Sequence, residues 1–286
     1  MKNEVLPIMV FQTDFTYLEG AVASMYGVVR SVSRDVEIIT ASHDLPQYDI
    51  WSASYRLQQY MEFWPKGTVF VSVVDPGVGT QRKACVALTE DGYYVVTPDN
   101  GSLTHIKRAH GIKEVREIDE TVNRLSSTRG TSVFHGRDLF GYCGARLATG
   151  IITYEQVGQK YDPEEIVMFD VLEPDVREGR IEGIIEIDDP NFGNAWTNIP
   201  LEEMEKAGFT YGEDIHVIIE KGGEVVYDKD TKFARTFGDV SKGEPVLYNN
   251  EQMHVSFALS QGNFMKAFNI TFGPDHKVIL EKKHEK

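Results

Sequence analysis

The sequence predicts an α/β protein: an N-terminal layered α/β domain with a mostly parallel central sheet, then a smaller antiparallel β domain. Three observations carry this. Strand-like and helix-like patterns alternate over about the first 150 residues, as in βαβ units. Thr68–Val74 (TVFVSVV) is a near-continuous apolar run, the kind buried on both faces of a parallel sheet. From Ile181 onward helical spacing gives way to short β runs punctuated by Gly and Asp, as in a small barrel or sandwich.

The elements follow in order. Pro7–Thr13 (PIMVFQT) is an apolar strand that ends at Asp14. Glu19–Ser33 places apolar residues at helical spacing, and Val36–Ala41 is a β-branched run. Asp49–Phe63 reads as a second helix, stopped by Pro65 and Gly67. Cys85–Leu88 and Tyr93–Thr97 flank Asp91-Gly92, a strong hairpin signal. Ser102–Ala109 and Leu139–Ala148 read as helices. In the second half, strands are expected at Ile184–Ile187, Ile215–Ile219, Val225–Tyr227, Val246–Tyr248, Val255–Leu259 and Lys277–Leu280. The expected domains are 1–172 and 181–286, with the polar Glu173–Arg180 as linker and a frayed tail from Lys282.

The chain has 286 residues and a net charge of −15, which argues against a general nucleic-acid binder or a partner of anionic lipid. Two cysteines, Cys85 and Cys143, exclude a disulfide framework and a cysteine zinc cluster, and both read as buried thiols. Met1–Pro7 lacks a signal-peptide pattern and no apolar run is long enough to span a bilayer, so a cytoplasmic location is expected.

Polar residues and glycines cluster where the parallel strands end, the edge at which open α/β sheets bind ligands. Asp14 there suits a ribose diol, and equally suits a turn or helix cap. Val74-Asp75-Pro76-Gly77-Val78-Gly79-Thr80-Gln81-Arg82 allows close backbone approach to a ligand but is neither a P-loop nor a dinucleotide fingerprint. Asp75 and Arg82 bracket it, as a structural ion pair or as catalytic groups. Pro98-Asp99-Asn100-Gly101 reads as a turn. His135, in Phe134-His135-Gly136-Arg137-Asp138, precedes a helix, whose N-terminus disfavours its protonation. The eight histidines are scattered without metal-ligand spacing. Asp188–Ile199 combines adjacent carboxylates, amides and Trp196, a set that suits an amino-acid zwitterion or simply a rich β-turn.

Taken jointly, Thr13-Asp14-Phe15, Ser42-His43-Asp44-Leu45-Pro46, Trp64–Val69, Val74–Thr80, Pro98–Gly101, Phe134–Asp138 and Phe192–Ile199 resemble one family. It is the S-adenosyl-L-methionine (SAM) hydrolases, adenosine-forming, also called SAM hydroxide adenosyltransferases, relatives of the SAM-dependent fluorinase and chlorinase. The resemblance covers roughly residues 8–270. It implies a C-terminal β-barrel and a homotrimer, with SAM between the N-terminal domain of one subunit and the C-terminal domain of its neighbour. It further implies a ribose-binding Asp14, a water-handling set Asp75, Arg82 and His135, and Tyr48 lining the pocket. Asp188, or Asp189 given one extra loop residue, would hold the methionine amine. Asn194 and Trp196 would lie near the nucleoside and methionine, and Glu251 and Gln252 near adenine, although the family's Ser-x-Gly is absent there.

Halogenases of this kind carry Tyr in place of Asp75, a small hydroxyl residue in place of Val78, and no Phe-His-Gly-Arg-Asp. A carboxylate repels a halide in a desolvated site, whereas a water nucleophile benefits from one. Two departures stand near the pocket: Thr16-Tyr17 where the family has Gly-Leu, and Phe140-Gly141-Tyr142 where it has Phe-Ala-Pro. The implied reaction is attack of water on C5′ of SAM, giving adenosine and L-methionine with no metal or redox cofactor. Asp75 with His135 would orient or deprotonate the water, or Arg82 and His135 would bind a hydroxide. Tyr48 and Trp196 could face the sulfonium, worth roughly 0.5–2 kcal/mol. The alternatives are a halogenase forming 5′-halo-5′-deoxyadenosine and a non-catalytic SAM or adenosine sensor. No G-x-S-x-G elbow supports a generic ester hydrolase.

Overall fold

The computed structural model describes residues 6–283. The readings placed on Met1–Val5 and on the last three residues of the tail lie outside the described residues. The chain divides into two compact units, Met1–Phe169 and Asp170–Lys286.

In the first unit the strands are β1 (Ile8–Thr13), β2 (Glu37–Ser42), β3 (Val69–Val73), β4 (Ala84–Thr89), β5 (Tyr94–Pro98), β6 (Ile112–Glu117) and β7 (Lys160–Tyr161). The helices are α1 (Ala21–Val32), α2 (Ile50–Met61), α3 (Thr104–His110), α4 (Glu120–Asn123) and α5 (Tyr142–Ala148). One sheet runs β2-β1-β3-β5-β4-β6-β7. Its first four strands are parallel, and β4 lies antiparallel between β5 and β6. The expected hairpin forms where Gly92 takes a φ of 93° and donates to Thr89. β6 (IKEVRE) was not expected, because four of its six residues are charged and only Ile112 and Val115 are buried.

Strand alternation sorts the core into two layers. Met9, Phe11, Val71 and Val73 pack with Met25 and Val29 of α1 and Cys143 of α5. Val10, Phe70 and Val95 face Leu57 and Met61 of α2 and Ile106 of α3. Helix α1 works because Val22, Met25 and Val29 recur on one face. Helix α2 starts where Asp49 accepts the Ser52 N–H at 2.9 Å. Helix α5 approaches the sheet closely at Gly144, where a Cβ would sit 3.1 Å from the Met9 methyl and 3.3 Å from Val71. Both cysteines are free and buried, and burial pushes the Cys143 thiol up to about 12.

The second unit contains β8 (Asp175–Arg177), β9 (Arg180–Asp189), β10 (Asn194–Pro200), β11 (Asp214–Lys221), β12 (Glu224–Phe233), β13 (Pro245–Asn249), β14 (His254–Leu259) and β15 (His276–Lys282). Helices α6 (Leu201–Lys206) and α7 (Phe264–Ala267) are short. Pairing runs β9-β10-β14-β13-β12-β11-β15 and returns to β9, closing a seven-strand barrel. Every pair in the ring is antiparallel except β12 with β13. An odd ring cannot alternate direction throughout, so a strictly antiparallel barrel of seven strands is impossible. The polar stretch read as a linker carries β8, which pairs with β9 across Gly179. Ile185, Ala195, Val217, Phe257 and Leu280 fill the barrel, and Phe264 of α7 stacks on Phe257.

Candidate active site

The chain passes from β1 outward to β2, then returns to β3 on the other side of β1. The crevice beyond the carboxyl ends of β1 and β3 is therefore a switch point of the sheet. Asp14 follows β1 there and Asp75 follows β3. Both line a cavity of about 480 Å³ together with Tyr48, Phe15, Phe134 and Glu19. Burial raises the Asp14 carboxyl above its ordinary value; Asp75 adds to the rise, and the Tyr48 N–H, donating to Oδ2 at 2.9 Å, opposes it.

Glu19 escaped the sequence reading, which placed it inside the first helix. The helix begins two residues later, and the Glu19 carboxylate accepts the Ala21 N–H at 3.0 Å. A carboxylate just ahead of a helix at the ligand-binding edge is the signal that would have found it.

The loop after β3 reverses through two tight turns, with Val78 N–H donating to Asp75 and Thr80 N–H to Gly77. This returns Arg82 to Asp75. Arg82 Nε donates to both carboxylate oxygens, at 3.0 and 3.1 Å, and Nη2 donates to Oδ2. The pair is desolvated, with side chains 10% and 5% exposed. The same Nη2 donates to His135 Nδ1 at 3.0 Å. The ion pair thus forms, and the same guanidinium brings His135 to it.

His135 is 4% exposed and immediately precedes a π-helical turn, Gly136–Gly141. Such turns recur at functional sites, because the extra residue redirects side chains. Gly136 admits the Phe15 ring, which would lie 2.9 Å from a Cβ. Burial, and then Arg82, hold the His135 imidazole below its ordinary pKa. A guanidinium only donates, so Nδ1 accepts and the neutral ring carries its proton on Nε2. Nε2 is buried without a hydrogen-bond partner among the described residues. His135 therefore carries its N–H on a buried atom, and of the three linked residues Asp75 lines the cavity whereas Arg82 and His135 do not. Tyr48 sits at the rim, 63% exposed, at a φ of 66°.

The second unit holds another cavity, about 810 Å³, lined by Asn194, Trp196 and Glu251 together with Asp189, Arg235 and Tyr248. Asp188 and Gln252 are not among its lining residues. A bulge in β9 explains the first: Asp188 pairs with the fully buried Ala195, whereas Asp189 pairs with Asn194 and accepts its Nδ2 at 3.1 Å. Gln252 lies in the β13–β14 turn, its N–H donating to Asn250 Oδ1. Burial pushes the Tyr248 hydroxyl up to about 12. Among the described residues, no group of three or more His, Cys, Asp or Glu is placed to hold a metal ion. No described helix is long and apolar enough to cross a membrane.

The SAM hydroxide adenosyltransferase N-terminal domain matches residues 9–158, and its C-terminal domain matches residues 183–277. The chain belongs to the SAM hydroxide adenosyltransferase family. Within it, the (R)-S-adenosyl-L-methionine hydrolase of Methanocaldococcus jannaschii is 30% identical, covering 98% of each chain. A fluorinase of Actinopolyspora mzabensis is 27% identical over 95% of this chain and 97% of its own. A crystal structure of an uncharacterized conserved protein from Thermotoga maritima superposes with a TM-score of 0.85 at 28% identity, covering 96% of this chain and all of that one. Asp75, Arg82 and His135 all fall within the matched N-terminal domain.

Proposed function

We propose that this protein hydrolyses SAM at C5′, giving adenosine and L-methionine. The observation that carries the reading is the Asp75–Arg82–His135 constellation behind a cavity lined by three carboxylates. The water oxygen forms a bond to C5′ as the C5′–S bond breaks. The electron pair of that bond goes to sulfur, so the sulfonium leaves as a neutral thioether and needs no general acid. Asp75, coupled to His135 through Arg82, orients the water so that an oxygen lone pair faces carbon. Asp75 accepts the proton the water loses. Arg82 holds Asp75 and fixes the His135 tautomer at once. Asp14 takes the ribose diol, and Asp189 in the second unit suits the methionine amine better than Asp188.

The carboxylates at the cavity wall favour a cationic substrate and a water nucleophile over a halide. We further propose a homotrimer in which a neighbouring copy completes the site. The apolar rims support this: Tyr48 and Val133 are exposed at the first cavity, and Phe192 and Phe237 at the second. A cytoplasmic setting fits two free thiols.

The test is turnover of SAM in ¹⁸O-labelled water. Adenosine labelled at the 5′ oxygen and free methionine are expected. Binding without product would instead favour a sensor, and 5′-halo-5′-deoxyadenosine on addition of chloride or fluoride would favour a halogenase. Asp75→Asn is expected to lower kcat at least about 100-fold while leaving SAM affinity within a few-fold. Retained turnover would remove Asp75 from the proton transfer.

A further inference from the structure

His43 follows β2 and is 1% exposed. Its two ring nitrogens have different partners. Nδ1 bonds the Thr13 hydroxyl at 2.7 Å, and Nε2 bonds the Tyr26 hydroxyl at 2.7 Å. The Thr13 hydroxyl also accepts the Phe15 N–H at 3.1 Å, so one oxygen joins the two neighbours of Asp14. The His43 carbonyl accepts the Thr16 N–H at 2.7 Å, and the Leu45 N–H donates to the Thr13 carbonyl at 3.3 Å. Thr16 sits at a φ of 58°, a costly conformation for a β-branched residue that persists only where the surroundings hold it. On the far side, Tyr26 of α1 and Tyr17 both bond the Thr40 hydroxyl of β2. The Tyr17 ring meets the imidazole edge-on at 5.2 Å.

We propose that His43 is a positioning residue for Asp14, holding the turn that presents its carboxylate to the ribose through the Nδ1–Thr13 hydrogen bond. This rests on the proposed function. The imidazole touches no reacting atom. It ties the end of β1 to α1 and β2, so the Asp14 turn cannot rotate without breaking the Thr13 bond or the Thr16 bond. The Nε2–Tyr26 bond anchors the ring, whereas the Nδ1–Thr13 bond transmits its position.

That asymmetry is testable, because two substitutions keep different halves. His43→Asn carries an amide where Nδ1 was and keeps a partner for Thr13. His43→Gln reaches toward Nε2, keeps a partner for Tyr26 and drops Thr13. His43→Gln is expected to weaken adenosine binding about tenfold and raise KM for SAM similarly, with kcat within about threefold. His43→Asn is expected to stay within about threefold of wild type in all three. Thr13→Val removes the same bond from the other end and is expected to reproduce the Gln effect, including where the Gln variant folds poorly. In an Asp14→Asn background the Asn and Gln variants are expected to bind adenosine equally.

Equal losses in the Asn and Gln variants, or a difference that survives without the Asp14 charge, would overturn the inference and leave His43 a core residue. A wild-type protein that neither binds adenosine nor consumes SAM would overturn the functional reading first, and this inference with it.

Discussion

Acidification should unload the His43 bridge, and the size of the effect follows from its burial. Burial lowers the imidazole from 6.5 to about 4, with Asp44 pulling weakly the other way. The unfolded chain therefore binds this proton more readily than the native one, and stability rises with pH wherever the two differ. The contribution is intact above the unfolded value of 6.5 and is lost as pH falls from there toward about 4. At about 1.4 kcal/mol per pH unit the full loss is about 3 kcal/mol, of which about 2 kcal/mol is gone by about pH 5. The assay is urea denaturation of wild type and His43→Asn between about pH 7.5 and about pH 5, read on the transition of the N-terminal unit. Other histidines that burial holds low, His135 and His276, are common to both proteins and cancel in the difference. The stability gap between the two proteins is expected to close by about 2 kcal/mol over that range. Parallel curves would refute the reasoning, because they would mean that His43 takes up its proton no later in the folded chain than in the unfolded one.

Three further outcomes are expected. Arg82→Met leaves the Asp75 carboxylate buried without its cation and should cost about 3–5 kcal/mol in urea denaturation. A loss under about 1 kcal/mol would mean that the pair is solvated. Gly136→Ala puts a methyl 2.9 Å from the Phe15 ring, so it should cost about 1–3 kcal/mol of stability and lower turnover by moving Phe15 against the Asp14 turn; unchanged kinetics would uncouple the two. Thr16→Gly restores the residue usual in the family at a φ of 58°, and is expected to raise stability by roughly 0.5–1 kcal/mol in thermal denaturation; a clear drop would mean that the Thr16 hydroxyl, which accepts the Leu18 N–H, matters more than backbone strain.

The strands and helices that could be read from the chain were those whose burial is local and periodic. β1, β3 and β5 are nearly all apolar, and α1 repeats its apolar residues at one spacing. β10 was hidden, because Asn194 and Asn198 lie in a segment rich in turn-forming residues. In the structure these amides are buried, and Asn198 is satisfied by the Ile184 N–H and the Leu172 carbonyl. Side-chain hydrogen bonding to distant backbone leaves no period in the sequence.

The sequence by itself determined the class of both units, the order of the motifs and the residue types available for chemistry. Asp14, Asp75, Arg82 and His135 were all visible there, because each stands beside a turn or an element end. Tertiary structure alone decided how they combine. Arg82 lies 53 residues from His135, and only the folded loop gives one guanidinium both Asp75 and the imidazole, which sets the proton on Nε2. Likewise, the β9 bulge decided which of two adjacent aspartates lines the second cavity, since inserting one residue exchanges the faces of a strand. Local sequence encodes local burial; which lone pair meets which donor depends on contacts between segments far apart in the chain.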